Sequence, residues 1–500
     1  MKECAITWVE PENLSNRLDA EYYRPKVLEV LRHLKTGCDH KLFHLKSLAD
    51  CSYRIMDFQA FSIYNEVRFY EKGHPDHIPF LRVQDLRECG VDLSRIIYTD
   101  IESHRKMQKS TVKPGDILLS IIGSLGIASI YPAHLQECNS NQCIAKITLK
   151  PDVNKYYVAA ALNTSLIRLL IHREATGTIQ RGLTLGGTRK FKIPIPDRRI
   201  QDYIGAKVEL AERCRAEAAT IEKYCLELFA EGLGEEPDSW LSQDDSNGIF
   251  NAGGFAISIS PDLIRGRLDP VGYHPELLFI QRKARKQRKI FNPLAKLASF
   301  ETANRPRINS EANAFISVLH VDEKGFVDIS AAIAYRPESS GRVCKDGDLL
   351  VSCINPSANR IAVCEGLPSK AGCSPEFAIL NTKGVNTHYL AFIMRTDIVR
   401  RQLIHLGRGT SSSRRRIDEE ELLDLEIPVI QSADEIGNNI KKRQLLAERA
   451  LLLVGEAKSD VEALIEGTLD TNAILSGKLK PPTWETINES LGSVTDEDEP

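Results

Sequence analysis

Arg17 to Pro25 reads RLDAEYYRP and Arg267 to Pro275 reads RLDPVGYHP, with five of nine positions identical at an offset of 250. The apolar stretch that follows also recurs, as LKSLA at Leu45 to Ala49 and LAKLA at Leu294 to Ala298. Further along, Gly115 to Ser120 (GDILLS) returns as Gly347 to Ser352 (GDLLVS), now offset by 232. That offset also pairs Tyr157 with Tyr389, Gly177-Thr178 with Gly409-Thr410, and Ile204-Gly205 with Ile436-Gly437. Ile193-Pro194 returns as Ile427-Pro428, offset by 234. One short match can arise by chance, but an ordered series at nearly constant offset marks two homologous halves. A repeat has to be recognised first because it decides the architecture.

Each half has the same internal order. A short helical opening leads into a strand-rich body punctuated by Gly, Pro and Asn. Gly-Asp before an apolar run reads as a turn entering a buried strand. A helix around Tyr156 to His172 follows, then a Gly/Thr/Arg loop, an Ile-Pro strand, and a long final helix. In the first long helix Ile204, Val208, Ala211, Cys214, Ala218, Ile221, Cys225 and Leu228 step by alternating fours and threes. In the second, Ala447, Ala450, Val454, Ala457, Val461 and Leu464 do the same. This is the 3.5-residue seam of helices that pack along their length. The two helices are copies, so mutual antiparallel packing buries both stripes; the alternative is that each stripe lies on its own domain.

The expected fold class is α+β. Two homologous mixed α/β domains (1–198 and 263–430) are separated by two long antiparallel coiled-coil helices (199–233 and 431–469) in a pseudo-two-fold arrangement. Residues 234–262, rich in Gly, Ser and acidic residues, have linker composition, and 470–500 reads as an acidic tail that frays.

Composition narrows the function. Five hundred residues exceed one ordinary core, and 42% hydrophobic with 27% charged residues is ordinary for a soluble globular protein. No run approaches a membrane span, and Glu3 and Glu10 interrupt the apolar stretch a secretory peptide needs, so a cytoplasmic location is expected. The twelve cysteines include no C-x-x-C. Cys344, Cys353, Cys364 and Cys373 are spaced by 9, 11 and 9, which matches no usual metal pattern, and they read as small apolar residues along strands. The net charge of −3 becomes +3 without the six acidic residues between Glu485 and Pro500. Charge therefore does not exclude nucleic acid, since distribution matters more than the sum.

Catalytic motifs are missing. There is no P-loop; the nearest candidate, Gly182 to Arg189 (GLTLGGTR), has Arg where the phosphate-binding Lys belongs. No Gly-rich turn suggests a dinucleotide or S-adenosylmethionine site. Asn355-Pro356 lacks the second Pro and the aromatic residue that hold a flipped base in an amino-methyltransferase. The histidines are isolated, and Asp322-Glu323-Lys324 is the kind of triplet a charged chain contains by accident. The chain is expected to be no enzyme, with no metal and no cofactor of its own.

Residues suited to reading DNA are present. Phosphates call for Lys and Arg, and base edges for planar, forked donors and acceptors. Arg282, Lys283, Arg285, Lys286, Arg288 and Lys289 lie within eight residues, forming either a phosphate-tracking face or a solvated helix exterior. Gly407 to Arg416 combines glycines, hydroxyls and Arg408, Arg414, Arg415 and Arg416, with Thr410 between them. Its counterpart in the first half carries Thr178, Gln180 and Arg181 and continues to Arg189-Lys190. The bland alternative is a pair of surface loops with incidental charge. Alternation along a strand would put Arg82 and Gln84 on one face, and Asn139, Asn141 and Gln142 could line the same groove, against surface-strand polarity as the alternative.

In this order and duplication the chain resembles the specificity subunit of type I restriction-modification systems. RLDAEYYRP and Gly177 to Pro196 (GTIQRGLTLGGTRKFKIPIP) carry the resemblance best, and it spans about residues 17 to 469. It departs where that family often opens the helix with Glu-Gln: here Arg199-Ile200-Gln201-Asp202 and Gln431-Ser432-Ala433-Asp434-Glu435 stand, and the acidic tail is an addition. The resemblance implies two target-recognition domains, each reading half of a split double-stranded DNA target from the major groove. A helix of about thirty residues, roughly 45 Å, would then act as a ruler longer than one duplex turn of about 34 Å. It also implies two DNA adenine methyltransferase subunits using S-adenosylmethionine, an ATP-driven motor-nuclease subunit, and no membrane partner. A DNA reader for another phage-defence or methylation assembly, and a coiled-coil scaffold that binds no nucleic acid, remain alternatives.

Overall fold

The Gly115-Asp116 and Gly347-Asp348 pairs enter the innermost strands of their halves. Both glycines take a left-handed φ, +82° and +83°, where a side chain would cost about 1–2 kcal/mol. The aspartates close the turns: Asp116 Oδ2 accepts from Lys113 N at 2.8 Å and Asp348 Oδ2 from Lys345 N at 2.9 Å. The strands that follow, Ile117–Ser120 and Leu349–Ser352, are buried along their whole length. That is why they read as unbroken apolar runs and not as alternating ones.

The computed structural model describes residues 8–9, 14, 20–32, 34, 43–57, 66–71, 73–177, 181–234, 249–251, 254–256, 269–409 and 414–489. They divide between two compact units, 1–216 with 449–500 and 217–448. In the first unit Ile117–Ser120 pairs antiparallel with Ala128–Ile130 on one side and Ile144–Leu149 on the other, and Ser52–Met56 completes the sheet. In the second, Leu349–Ser352 takes the same place between Ile361–Val363 and Phe377–Thr382, with Ala298–Phe300 outside. Register corresponds as well: Leu118 faces Lys146 as Leu350 faces Ile379.

A second sheet is built on a parallel pair, Ile78–Leu81 with Asn139–Ser140 in the first unit and Ala314–Ile316 with Ala371–Cys373 in the second. The segment before each Gly-Asp turn pairs antiparallel with the later member, as the Val112–Cys138 bridge or as strand Gly341–Val343. Beyond this the units part. In the first, Ile97–Thr99 and then Phe69–Tyr70 extend the sheet from Ile78–Leu81. In the second, the helix Ile329–Ala334 packs on Ala314–Ile316, and the sheet grows at its other side through Arg307–Ile308. Cys344, Cys364 and Cys373 are buried among the apolar side chains of this core, and Cys353 is half-buried.

The expected helix at Tyr156 to His172 is two helices, Lys155–Asn163 and Ser165–Glu174. Thr164 breaks it: its backbone is extended and its hydroxyl caps the second helix by accepting from Ile167 N. The other unit repeats the break at Thr396, between Thr387–Arg395 and Asp397–Leu406. The repeated tyrosines and Ile-Pro pairs now have a reason. Tyr157 Oη donates to the Pro194 carbonyl at 2.7 Å, and Tyr389 Oη to that of Pro428 at 2.9 Å. The repeated Ile-Gly pairs have one too, because Gly205 and Gly437 pack against Asn154 and Asn386, which cap the preceding helices. An added Cβ would lie 2.6 Å and 2.2 Å from those Asn side chains.

The long helices are Arg198–Leu233 and Ala433–Glu466. Within the first unit Lys207 Nζ meets Asp460 Oδ2 at 2.6 Å, while Arg199 Nη1 reaches the Leu475 carbonyl at 3.2 Å. Within the second, Tyr224 Oη donates to Glu435 and Arg443 pairs with Glu222. Along the two helices rising numbers on one meet falling numbers on the other, Lys207 with Asp460, Glu222 with Arg443 and Tyr224 with Glu435, so the packing is antiparallel. Ile204, Val208, Ala211, Ala218 and Ile221 are buried on one helix, and Ala450, Val454, Ala457, Val461 and Leu464 on the other. Two seam positions are corrected: Leu228 and Ala447 are half-buried, and the adjoining Phe229 and Leu446 are in the core. The apolar stripe is wider than a two-helix seam because each helix also covers a domain. Arg215 donates to the carbonyls of Cys89 and Glu88, and Gln444 to that of Val363.

The expected frayed tail is corrected for residues 470–489. Thr471–Leu475 is helical, Ile474 and Ile487 are buried, and the Arg213 guanidinium lies 4.2 Å from the Trp484 ring centroid. A few large apolar residues suffice to dock a segment whose average composition is polar. Residues 490–500 lie outside the described residues. Within the expected linker, Ile249–Asn251 and Gly254–Ala256 form a hairpin; its remainder, apart from Gly234, is likewise outside.

Candidate nucleic-acid interface

In the first unit a chain of backbone bonds gathers several candidates at one end of the sheets. Asn141 N donates to the Leu81 carbonyl (3.0 Å), Ile121 N to that of Cys143 (2.8 Å), and Leu183 N to that of Ile121 (2.8 Å). Thr176 and Gly182 exchange both of their backbone bonds at 2.9 Å, so the Gly/Thr loop is a pinched hairpin. Gly177 at its shoulder has φ +105°. Thr178 and Gln180 lie outside the described residues. Arg181 Nη2 donates to the carbonyls of His172 and Ala175, bracing the hairpin on the helix before it.

The expected strand alternation at Arg82 and Gln84 is corrected. The strand ends at Leu81, and Val83–Asp85 is a 3-10 turn. Asp85 Oδ2 accepts from Arg82 N at 2.7 Å, and the Arg82 guanidinium closes on both carboxylate oxygens and on the Arg95 carbonyl. Arg82 thus builds the turn, and Gln84 is the exposed residue at its centre. Asn141 Oδ1 accepts from Cys143 N, and Gln142 Oε1 is buried without a hydrogen-bond partner. Asn139 is buried, with its oxygen 2.6 Å from His104 Nδ1.

The second unit repeats the assembly, with Val318–His320 as its 3-10 turn. Ser374 N donates to the Ile316 carbonyl, Cys353 N to that of Glu376, and Ile417 N to that of Cys353. Arg408 and Arg416 exchange backbone bonds at 2.7 and 2.9 Å, as Thr176 and Gly182 do, and Gly409 has φ +117°. Carboxylates hold the side chains of these two arginines. Arg408 reaches Asp418 (3.0 Å) and Glu421 (2.6 Å), and Arg416 takes Glu376 in a fork at 2.6 and 3.1 Å. Arg416 is held more firmly protonated by that hydrogen bond with Glu376. Arg408 and Arg416 therefore shape the hairpin base, and the exposed Arg414 stands at its outer part. Arg415 is half-buried with Nε lacking a partner, and Thr410 lies outside the described residues.

The remaining basic candidates lie elsewhere. Arg285 and Arg288 converge on the buried Glu426 at 3.6 and 2.6 Å, tying the helix Pro275–Lys286 to the ribbon Phe291–Pro293/Glu426–Pro428. Arg282 is exposed on that helix. Arg189, exposed on the helix Leu185–Lys190, donates to the Ile55 carbonyl at 3.2 Å. Lys190 lines a cleft of about 340 Å³ together with Arg173, Lys192 and leucines 31, 45 and 170.

Several buried polar groups have surroundings that the sequence did not show, because their neighbours are remote. Asp116 holds Arg54 (2.5 Å) and the Thr148 hydroxyl (2.6 Å), while Asp348 holds Arg305 (2.7 Å). Burial raises the pKa of Asp348 from its ordinary value. Lys146 is fully buried with Nζ unpartnered, and burial brings its pKa down to about 7. His274 and His405, 131 apart in sequence, stack with ring centroids at 4.0 Å, and Glu276 bonds His405 Nε2 at 2.7 Å. Arg401 takes the other Glu276 oxygen. One ligand atom from each of His274, Glu276 and His405 lies within 4.8 Å of the others, and with Arg401 and His405 each taking one Glu276 oxygen the arrangement is a charge-paired clasp between the helices Pro275–Lys286 and Asp397–Leu406.

These elements define a duplicated α+β protein whose two copies present the same hairpin and turn at the same end of their sheets. No family model and no curated relative matches the chain. Among solved structures it aligns with the type I restriction-modification S subunit from M. genitalium, at 11% identity and TM-score 0.40, over 86% of this chain and 97% of that one. It aligns with the HsdS subunit from Thermoanaerobacter tengcongensis at 13% identity and TM-score 0.29, over 86% and 98%. A third structure, concerned with complex assembly and conformational transition of the type I R-M system, matches at 13% identity and TM-score 0.29, over 86% and 100%.

Proposed function

We propose that this chain is the DNA-specificity subunit of a type I restriction-modification complex. Each unit reads one half of a bipartite double-stranded target, and the paired helices set the spacing between the halves. The observation that carries this reading is the repetition of one assembly. In both units a pinched Gly-rich hairpin, a 3-10 turn and an adjoining loop are joined at one sheet end, with Gln84 and Arg181 in one copy and Arg414 in the other. The exposed Gln84 amide and Arg414 guanidinium suit base edges and phosphates, while the half-buried Arg181 braces the hairpin of its own copy. The chain supplies address and no chemistry. Methylation of adenine with S-adenosylmethionine, and ATP-driven cleavage, belong to two methyltransferase subunits and a motor-nuclease subunit in the cytoplasm.

A tagged full-length chain purified from its native host tests this. Recovery of an adenine methyltransferase with DNA enriched in a split motif is the expected result. A chain that enriches neither would overturn the reading in favour of a scaffold that binds no nucleic acid. A split motif recovered with a different enzyme would point to another phage-defence or methylation assembly.

A further inference from the structure

Each unit carries a 3-10 turn directly after the earlier strand of its parallel pair, Val83–Asp85 after Ile78–Leu81 and Val318–His320 after Ala314–Ile316. The construction is the same in both. The third residue of the turn reaches back to the backbone N–H before it: Arg82 N donates to Asp85 Oδ2 at 2.7 Å, and Ser317 N to His320 Nδ1 at 3.1 Å. Burial lowers the pKa of His320, which suits an unprotonated Nδ1 acting as acceptor. Further bonds pin each turn. Arg87 Nη1 donates to the Gln84 carbonyl (2.7 Å), and Asp328 N donates to the His320 carbonyl (2.8 Å). The His320 ring also meets Tyr335 edge-on at 5.3 Å. The loops that follow the parallel pairs bond to the strand ends just before these turns and lead on to the hairpins, so both turns stand beside the Gly-rich loops.

The middle residues differ in kind. Gln84 is exposed, and its amide oxygen can accept from Arg82 Nη1 (3.2 Å) and Nη2 (3.0 Å), which leaves it N–H groups to offer. Leu319, at the same position, is 75% exposed on an equally fixed turn. A lone exposed leucine means little, but Ile333 and Tyr335 are exposed in the same segment, and His320, next to Leu319, touches Tyr335. A rigid apolar tip in this place suits the one apolar group on a base edge in the major groove, the thymine 5-methyl.

We propose that the middle residue of each turn determines base specificity, Leu319 packing on a thymine methyl in one half-site and Gln84 donating to a base-edge acceptor in the other. This rests on the DNA-reading function proposed above. The test uses the full-length chain with its co-purifying subunits and a target duplex selected from a random pool. Each thymine is then replaced singly by deoxyuridine, which removes only the methyl. The wild type should lose roughly fourfold in affinity at one thymine. L319A should lose that sensitivity and keep the rest of the pattern, and Q84L should weaken binding to the opposite half-site by losing the donated hydrogen bond while keeping the wild-type deoxyuridine scan. An enriched target with a flat deoxyuridine scan, or an L319A scan identical to the wild type, overturns the inference while leaving the DNA-reading function intact. No enriched target at all overturns both.

Discussion

The sheets around the two Gly-Asp turns agree strand for strand, whereas the sheets built on the two parallel pairs diverge at their edges. In the first unit the edge beyond Ile78–Leu81 is two further strands; in the second it is the helix Ile329–Ala334. What has been kept in both copies are buried polar groups with partners: Asp116 with Arg54, Asp348 with Arg305, and the Tyr157 and Tyr389 hydroxyls on proline carbonyls. Losing one partner of such a pair strands the other, so these positions tolerate little change. An edge facing solvent carries no such penalty. A scaffold held constant with a replaceable edge is what the proposed reading of two different half-sites requires.

The largest expected effects test whether the scaffolds are equivalent. Asp116→Ala and Asp348→Ala each take a buried carboxylate from a half-buried arginine and should each lower stability by about 3 kcal/mol in urea unfolding. A near-neutral result for one of them would break the equivalence. Lys146 stands where the other copy has Ile379, so Lys146→Ile should stabilise the protein at neutral pH, by about 2 kcal/mol. Its folded pKa of about 7 lies below the value of 10.5 for a solvated lysine. Between these values the unfolded chain binds more protons, and wild-type stability should rise with pH from about 7 toward 10.5. Lys146→Ile should lack this rise, and an unchanged pH profile would contradict the assignment.

Smaller effects separate scaffold from reader. Tyr157→Phe and Tyr389→Phe should each cost about 1 kcal/mol, readable as matched shifts in the denaturation midpoint. Arg414→Ala should leave stability alone, weaken DNA binding evenly across sequences, and reduce the slope of log affinity against log salt by about one. Arg416→Ala should instead lower stability by releasing Glu376. If the two variants behaved alike, the division between hairpin base and outer part would fail.

The duplication was legible in the chain because repeated residues such as Tyr157 and Gly205 serve contacts made again in the other copy. The long helices were legible because burial along a helix leaves a periodic trace, and the seam slipped by one residue at Leu228 and Ala447 where the stripe also covers a domain. The break at Thr164 went unseen because one capping hydroxyl decides it within an apolar-rich run. Arg82, Arg408 and Arg416 read as contacts for a partner, yet their guanidiniums are held by carboxylates of the chain itself.

By itself, then, the sequence determined the repeat, the α+β class and the two helical stripes, since these depend on order and period, which are properties of a linear string. Tertiary structure decided which charges are paired inside the chain, which side chains stand at the tips of the turns, and that Gln84 and Leu319 occupy one position. Those outcomes depend on distances between residues remote in sequence, such as Arg54 and Asp116 or Glu376 and Arg416, and only folding brings such residues together.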